Sequence, residues 1–259
     1  MIDLHCHLLA GLDDGPSEIS DAIDMARTAI EDGIDCLVCA PHITPGEFEN
    51  DKKSISQAMS QLRSAIVEHG LPIKLFYGAD LRIHDEILSG LQQELLPTIN
   101  NSRYFLLDCP KCIEDFSSIS NILLKCIEKG YVPIIVHPER HKWITEYYPQ
   151  LLELVDAGAW LQITADSLTG YYGDGAKYWA KRLLTDGYVH VIASGAHSSE
   201  KRPPILSEAY ERAKKLVGHV EALHLVETRP EAVLNDRAPT TVPMPPALIK
   251  LLTLETQQI

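Results

Sequence analysis

Apolar residues along this chain fall into two alternating patterns, helical stripes and short continuous runs. Five of the runs follow a helical stretch that ends at a glycine, and the runs show little polar alternation. Such runs are typical of strands that are buried on both faces of a parallel sheet. Together with the N-terminal run, the pattern predicts seven strands at Ile2–His7, Ile34–Ala40, Ile73–Ala79, Tyr104–Leu107, Val132–Val136, Trp160–Thr164 and Val189–Ala193.

Six amphipathic helices are predicted between these strands. In the first helix, isoleucines recur at helical spacing, and Ser17 or Pro16 is expected to open it. Regular alternation of strand and helix favours one closed or nearly closed parallel β/α barrel, with a doubly wound open sheet as the alternative. The predicted helices are Ser17–Asp32, Ser54–His69, Ser118–Lys129, Trp143–Ala157, Ala176–Asp186 and Ile205–Val217.

The chain changes character near its C-terminus. From Arg237 onward, closely spaced prolines indicate an extended linker, and Ala247–Glu255 predicts a short apolar helix. This helix would pack either on the body of the domain or on another subunit, so a homo-oligomer is one of two alternatives. We therefore expect a barrel domain over residues 1–236 and a Pro-rich linker with a short helix over 237–259.

Charge and hydropathy narrow the classes of function. The formal net charge of -13 over 259 residues argues against nucleic-acid binding, which needs stripes of basic residues. Asp3 and His5 interrupt the N-terminal apolar run, which is unlike a signal peptide. No apolar segment approaches the ~20 residues that span a bilayer. A cytoplasmic protein without membrane insertion is expected.

Histidines and aspartates gather where the predicted strands end. Side chains two apart in a strand point the same way, so His5 and His7 present both imidazoles on one side. In parallel α/β proteins the functional groups collect at the carboxyl ends of the strands. Residues at or just after strand ends form one candidate cluster: His5, His7, Asp14, His42, Asp80, Asp108, His137 and His197.

This cluster predicts a metal site. Any one member could be a packed histidine or a capping aspartate, but so many at one face of a barrel favour a shared role. Imidazoles with carboxylates suit Zn, Mn or Fe better than Ca, and the cluster has room for two or three divalent ions. The other histidines singled out fall within or beside helices and strands and are interpreted as structural or solvent-facing: His69, His84, His190, His219 and His224.

The spacing of these motifs resembles the PHP (polymerase and histidinol phosphatase) superfamily. The resemblance is strongest to its bacterial metal-dependent tyrosine-phosphatase branch, which is associated with capsule and exopolysaccharide synthesis. It extends from Met1 to about Asp236 and implies a distorted seven-stranded β/α barrel with a trinuclear site. The motifs that carry it are His5-x-His7, Asp13-Asp14-Gly15-Pro16, Pro41-His42, Tyr77-Gly78-Ala79-Asp80, His137-x-Glu139-Arg140, Ser194-x-x-His197 and Arg202-Pro203-Pro204.

The resemblance also implies individual roles. One metal would be held by His5, His7 and Asp80, a second by Asp80, Asp108 and His137, and a third by Asp14, His42 and His197. Arg140 and Arg202 would bind phosphoryl oxygens, because a guanidinium matches phosphate bidentately. His42 or Asp14 would manage the proton of the attacking water.

Three positions depart from the family pattern. The family usually has an Asp ligand of the first metal two residues before His197, where this chain has Gly195. It also usually has Glu at the positions of Asp80 and Asp108, which are shorter by one methylene. The first metal site should therefore be the weakest, unless a nearby carboxylate such as Asp166 has replaced the missing ligand.

The predicted function is metal-dependent hydrolysis of phosphotyrosine, and the usual protein partner in this branch is a bacterial tyrosine kinase. The cysteine-based phosphatase class is excluded, because no cysteine is followed by Arg at the sixth position after it. Two alternatives stay open. A small-molecule phosphomonoesterase of the same superfamily would share every ligand, and a binding protein would keep the fold while Gly195 abolished turnover.

Overall fold

The computed structural model describes residues 1–249 of the chain as an α/β protein with parallel sheets. Each of the seven predicted strands is present, and two further short strands appear. The described strands are β1 (Ile2–Cys6), β2 (Cys36–Cys39), β3 (His42–Ile43), β4 (Lys74–Tyr77), β5 (Asp80–Arg82), β6 (Tyr104–Asp108), β7 (Val132–Val136), β8 (Trp160–Thr164) and β9 (Val191–Ala193).

The described strands form two sheets rather than one. A three-stranded sheet has the order β1-β2-β4, and a six-stranded sheet has the order β3-β5-β6-β7-β8-β9. All of their ladders are parallel, which confirms the α/β class. The single seven-stranded barrel is not confirmed, because no ladder joins β1 to β9 among the described residues. Cys6 forms only an isolated bridge with Ala196, in the segment after β9.

Local backbone geometry accompanies the two further short strands. Pro41 has no N–H to donate, so the strand that ends at Cys39 resumes only at His42. After β4, Gly78 still donates its N–H to the Cys39 carbonyl at 3.0 Å, and β5 begins at Asp80. The restarted strands pair in register, with His42 opposite Asp80. The break therefore places two of the candidate ligands side by side.

The six predicted helices are confirmed, with ends that differ by a few residues. The first begins at Ile19 after Glu18, so the expected opening at Ser17 or Pro16 is wrong. Gly33 and Gly187 follow helix ends with φ of 84° and 82°, as predicted for terminating glycines. The described helices are α1 (Ile19–Glu31), α2 (Lys52–Glu68), α3 (Ile87–Gln92), α4 (Phe116–Glu128), α5 (Ile144–Asp156), α6 (Ala165–Thr169), α7 (Gly173–Asp186), α8 (Ser207–Val217), α9 (His219–Leu223) and α10 (Arg229–Leu234).

Strand side chains pack into two apolar clusters. Leu106 belongs to a cluster with Leu4 and Ile134, whereas its neighbours Phe105 and Leu107 pack with the helices. Because successive strand residues point to opposite faces, both faces of the strands are buried. This packing confirms the inference drawn from the continuous apolar runs.

The segment that follows the last helix packs on the body of the domain. Arg229 donates from Nε to the Pro243 carbonyl at 2.7 Å, and Leu248 is buried. Residues 246–249 are helical, and the remainder of the predicted helix Ala247–Glu255 lies outside the described residues. The domain boundary at 236 stays a prediction. In residues 1–249, no helix is long and apolar enough to cross a membrane.

A buried carboxylate fastens the first strand to the segment after the last one. Asp3 is fully buried and accepts hydrogen bonds from Ser194 Oγ at 2.5 Å and from the Ser194 backbone N–H at 3.1 Å. Burial raises the pKa of Asp3, and the hydrogen bonds from Ser194 oppose that effect. The link holds β1 beside the loop that carries His197.

Replacing Ser194 by Ala should therefore destabilise the fold. The variant leaves one oxygen of a buried carboxylate without its hydroxyl donor, which costs about 1–3 kcal/mol of unfolding free energy. Urea unfolding of the full chain measures this, with Ser64→Ala on the exposed face of α2 as the control. Equal unfolding free energies for the Ser194 variant and wild type would contradict the assignment.

Candidate metal centre

A cleft of about 530 Å³ opens at the carboxyl ends of the strands. Every side chain predicted for the metal site lines this cleft, together with both predicted phosphate-binding arginines. The predicted residues that meet there are His5, His7, Asp14, His42, Asp80, Asp108, His137, Arg140, His197 and Arg202.

The donor atoms of the cleft fall into overlapping groups. Within each group the candidate nitrogen and oxygen atoms all lie within 4.8 Å of one another. Shared members, among them His7, His42 and Asp80, connect the groups into one continuous cluster. The groups are His7, Asp14, His42 and His197; His5, His7 and Asp80; Asp108, His137 and His141; and His42, Asp80 and Asp108.

Hydrogen bonds orient the two imidazoles of the first strand. His7 Nδ1 lies 2.6 Å from Asp13 Oδ2, and His5 Nδ1 lies 2.8 Å from Gln162 Oε1. Both acceptors require a proton on Nδ1, which leaves a lone pair on each Nε2. The two Nε2 atoms face each other at 3.0 Å. Two lone pairs at this distance repel unless a cation lies between them, and this is the arrangement of a chelating pair.

His197 and Asp14 face each other across the same cleft. His197 Nδ1 lies 2.9 Å from the Gly195 carbonyl, and its Nε2 lies 3.1 Å from Asp14 Oδ1. The interaction with His197 lowers the pKa of Asp14 to about 2. Burial lowers the pKa of His7 and of His197, which favours the neutral imidazoles that metals bind.

Three of the four carboxylate oxygens of the two buried aspartates lack a hydrogen bond in the described part of the chain. They are both oxygens of Asp80 and Oδ1 of Asp108, and all three are buried. Burial raises the pKa of Asp108 to about 7, and the negative charge of Asp80 adds to this effect. Asp108 Oδ2 pairs with Arg82 Nη2 at 2.8 Å. Buried carboxylates without donors are costly, so these atoms fit a site for cations.

The motif after β7 contributes one predicted candidate ligand, His137, and one candidate that sequence reasoning missed, His141. His137 has φ of 41°, a left-handed conformation that is uncommon outside glycine and often marks functional sites. His137 Nε2 and His141 Nε2 each lie 3.8 Å from Asp108 Oδ1. Burial lowers the pKa of His141 to about 4. The spacing of four residues between the two histidines is the signal that could have identified His141.

Two arginines border the donor cluster. Arg202 Nη2 donates to the Gly195 carbonyl at 2.8 Å, and the Arg140 guanidinium lies 4.1 Å from the centre of the Tyr172 ring. Both positive groups line the cleft in a chain that is strongly acidic as a whole. This local positive charge suits an anion.

Space is available beside Gly195, where the resemblance implies an Asp ligand. Gly195 has φ of 57°, and a Cβ built there would lie 3.7 Å from its nearest neighbour, Thr164 Cγ2. Asp166, the suggested replacement, does not belong to any donor group found among residues 1–249. The group of His5, His7 and Asp80 thus contains no further His, Cys or carboxylate donor in the described chain.

The mouth of the cleft combines an aromatic ring with basic side chains. Phe48 stacks on His42 with ring centres 5.6 Å apart and planes inclined by 14°. Lys111 and Lys142 also line the cleft, and both are exposed. A ligand that enters the cleft therefore passes an apolar ring face and positive charge.

Comparison with known proteins agrees with this geometry. The chain is 32% identical over 251 residues to the tyrosine-protein phosphatase YwqE of Bacillus subtilis (strain 168), covering 96% of this chain and 97% of that protein. It is 28% identical over 245 residues to the tyrosine-protein phosphatase CpsB of Streptococcus pneumoniae, covering 92% and 99% of the two chains.

A solved structure shares the whole architecture. It comes from a study of YwqE from Bacillus subtilis and CpsB from Streptococcus pneumoniae, described there as unique metal-dependent tyrosine phosphatases. It superposes with a TM-score of 0.86 at 32% identity and covers 92% of this chain and 95% of that one. A β-aspartyl dipeptidase from Fervidobacterium islandicum, at 15% identity and a TM-score of 0.51, shares the fold alone.

Residues 1–235 match the family model described as capsular polysaccharide synthesis, CpsB/CapC. This match covers most of the 259-residue chain. The chain therefore belongs to the CpsB/CapC family of capsular polysaccharide synthesis proteins.

Proposed function

We propose that this protein is a metal-dependent protein-tyrosine phosphatase that acts in capsule or exopolysaccharide synthesis. The observation that carries the proposal is the juxtaposition of facing acceptor atoms, at His5 and His7, with two guanidinium groups in one cleft. Metal ions and a phosphoryl group are the ligands that satisfy both features together. The relatives named above, tyrosine-protein phosphatases with similar chains, support the same activity.

The proposed metal ligands follow the donor groups. His5, His7 and Asp80 would hold one ion, Asp80, Asp108 and His137 a second, and Asp14, His42 and His197 a third. His141 extends the second set, because it shares a donor group with Asp108 and His137. The number of ions is two or three, of Mn, Fe or Zn. When bound, they would neutralise charge on the phosphoryl oxygens and lower the pKa of a water.

The chain's own residues bind and orient the substrate. Arg140 and Arg202 would each donate to phosphoryl oxygens, where negative charge is spread in the transition state. Asp14 is the proposed proton acceptor for the attacking water, because its carboxylate is ionised at neutral pH and its side chain is 53% exposed. His42, the alternative proton acceptor, is less suitable, because the effect of burial is outweighed by Asp80 and Asp14, which raise its pKa to about 9. Its imidazole would accept a proton only after the one it carries had been lost on metal binding.

The low pKa of a phenolate leaving group favours an aromatic phosphate ester as the substrate. A phenolate has a pKa of about 10, so it departs with less help from a general acid than an alkoxide does. Phe48 at the mouth offers a ring face on which the phenyl group of phosphotyrosine can pack. The proposed partner is a tyrosine-phosphorylated protein, a bacterial tyrosine kinase. The support for a kinase is the resemblance to this branch.

Substrate comparison tests the function directly. We expect the full chain loaded with Mn²⁺ to hydrolyse p-nitrophenyl phosphate and phosphotyrosine peptides, and to lose that activity with a chelator. Histidinol phosphate should be hydrolysed far more slowly, because it offers no phenolate. A reversed preference would indicate a small-molecule phosphomonoesterase, and no metal-dependent hydrolysis of any of the three would indicate a binding protein.

Histidine replacements test the multinuclear site. His137→Ala and His42→Ala each remove an imidazole from a different donor group, so bound metal should fall and turnover should drop more than ~100-fold. His141→Ala should lower metal affinity as well. His69→Ala, an exposed histidine at the end of α2, is the control. Wild-type turnover in the first two variants with unchanged metal content would contradict the multinuclear proposal.

Gly195→Asp tests the open position. Aspartate tolerates the left-handed backbone at this site, and a Cβ has room there. The added carboxylate should tighten metal binding and raise activity at limiting metal. Gly195→Asn is the matched control, since it has the same shape without the charge. Equal metal stoichiometry and activity in wild type and Gly195→Asp would show that the first site was already complete.

A further inference from the structure

Tyr172 lies between the two arginines of the cleft. It precedes α7, in the connection that follows β8, whereas Arg140 follows β7 and Arg202 follows β9. The centre of its ring is 4.1 Å from the Arg140 guanidinium carbon and 6.0 Å from that of Arg202. One aromatic ring thus contacts two cationic groups, which follow the two strands on either side of β8.

The two arginines depend on this ring to different degrees. Arg202 is also fixed by its bond to the Gly195 carbonyl and by the Ser198 hydroxyl, which accepts from its backbone N–H. The Arg140 guanidinium makes no hydrogen bond or ion pair with any residue of the described chain, and its stacking on Tyr172 is its only described contact of this kind. The direction of the Arg140 side chain therefore rests mainly on the Tyr172 ring.

The ring between the two arginines can offset part of their mutual electrostatic repulsion. Two guanidinium groups that converge on one anion site repel each other while the site is empty. The negative face of an aromatic ring attracts such cations by about 0.5–2 kcal/mol each and offsets part of that repulsion. We propose that Tyr172 is a positioning residue that holds both guanidiniums in place for the phosphoryl group. This inference rests on the proposed function.

The hydroxyl of Tyr172 has no part in this role. Its oxygen is buried and has no hydrogen-bond partner among residues 1–249. A phenylalanine would present the same face at the same place, whereas an aliphatic side chain of similar size would not. The proposal therefore assigns the positioning role to the aromatic face of Tyr172, and not to its hydroxyl or to the volume of its side chain.

Binding of inorganic phosphate measures the effect apart from turnover. Calorimetric titration of the full Mn²⁺-loaded chain should show affinity about 2- to 30-fold weaker for Tyr172→Leu and unchanged for Tyr172→Phe. With a phosphotyrosine peptide, the loss in the Leu variant should appear mainly in KM. Tyr178→Leu, an exposed tyrosine of α7, is the control. Tyr172→Met repeats the test if the Leu variant does not fold.

A double-mutant cycle shows whether the ring acts through Arg140. Tyr172→Leu should weaken phosphate binding less in an Arg140→Leu background than in wild type, since the larger share of its effect has already been removed. Equal effects in both backgrounds, or a Phe variant as weak as the Leu variant, would overturn the inference. Failure of the proposed function is distinguishable, because it would appear as absent phosphotyrosine hydrolysis in wild type, whatever the phosphate affinities.

Discussion

The structure depends on a concentration of buried acceptor atoms that the protein itself does not satisfy. The Nε2 atoms of His5 and His7 face each other at 3.0 Å, and both oxygens of Asp80 are buried without donors in the described chain. Buried carboxylates and lone pairs normally find partners, because leaving them unpaired costs stability. The fold assembles this group from separate strand ends, and positive charge bound from outside the chain would satisfy it. Metal ions are the natural source.

Hydrogen bonds to neighbouring residues fix the orientation of the candidate metal ligands. Asp13 fixes the tautomer of His7, Gln162 that of His5, and the Gly195 carbonyl that of His197. Asp3 and Ser194 hold the first strand next to the loop after the last strand. Because ligand orientation tunes metal affinity, these residues carry part of the site's function. Gly195, in the same loop, contributes its carbonyl oxygen to these hydrogen bonds but no side-chain donor.

The sequence predicted most of the fold and of the site, since both depend on local patterns. Continuous apolar runs identified the strands. The rule that functional groups lie at the carboxyl ends of parallel strands predicted that the candidate ligands would be close together. The division into two sheets was missed, because it follows from the N–H that Pro41 lacks and from the register that this imposes on β3 and β5. His141 was missed because it lies after the helical turn that follows β7, and not at the strand end itself. Tyr172 was missed because its contact with Arg140 joins two loops that are distant in sequence, and such a contact produces no recognisable motif.

Anomalous diffraction from crystals soaked in Mn²⁺ tests the central claim most directly. The account predicts manganese peaks within bonding distance of Asp14, His42 and His197, and of Asp108 and His137. A weaker peak is predicted beside His5 and His7, where Gly195 leaves the ligand set short. Crystals that diffract well but show no manganese peak at these donor atoms would contradict the claim that the buried acceptors form a metal centre.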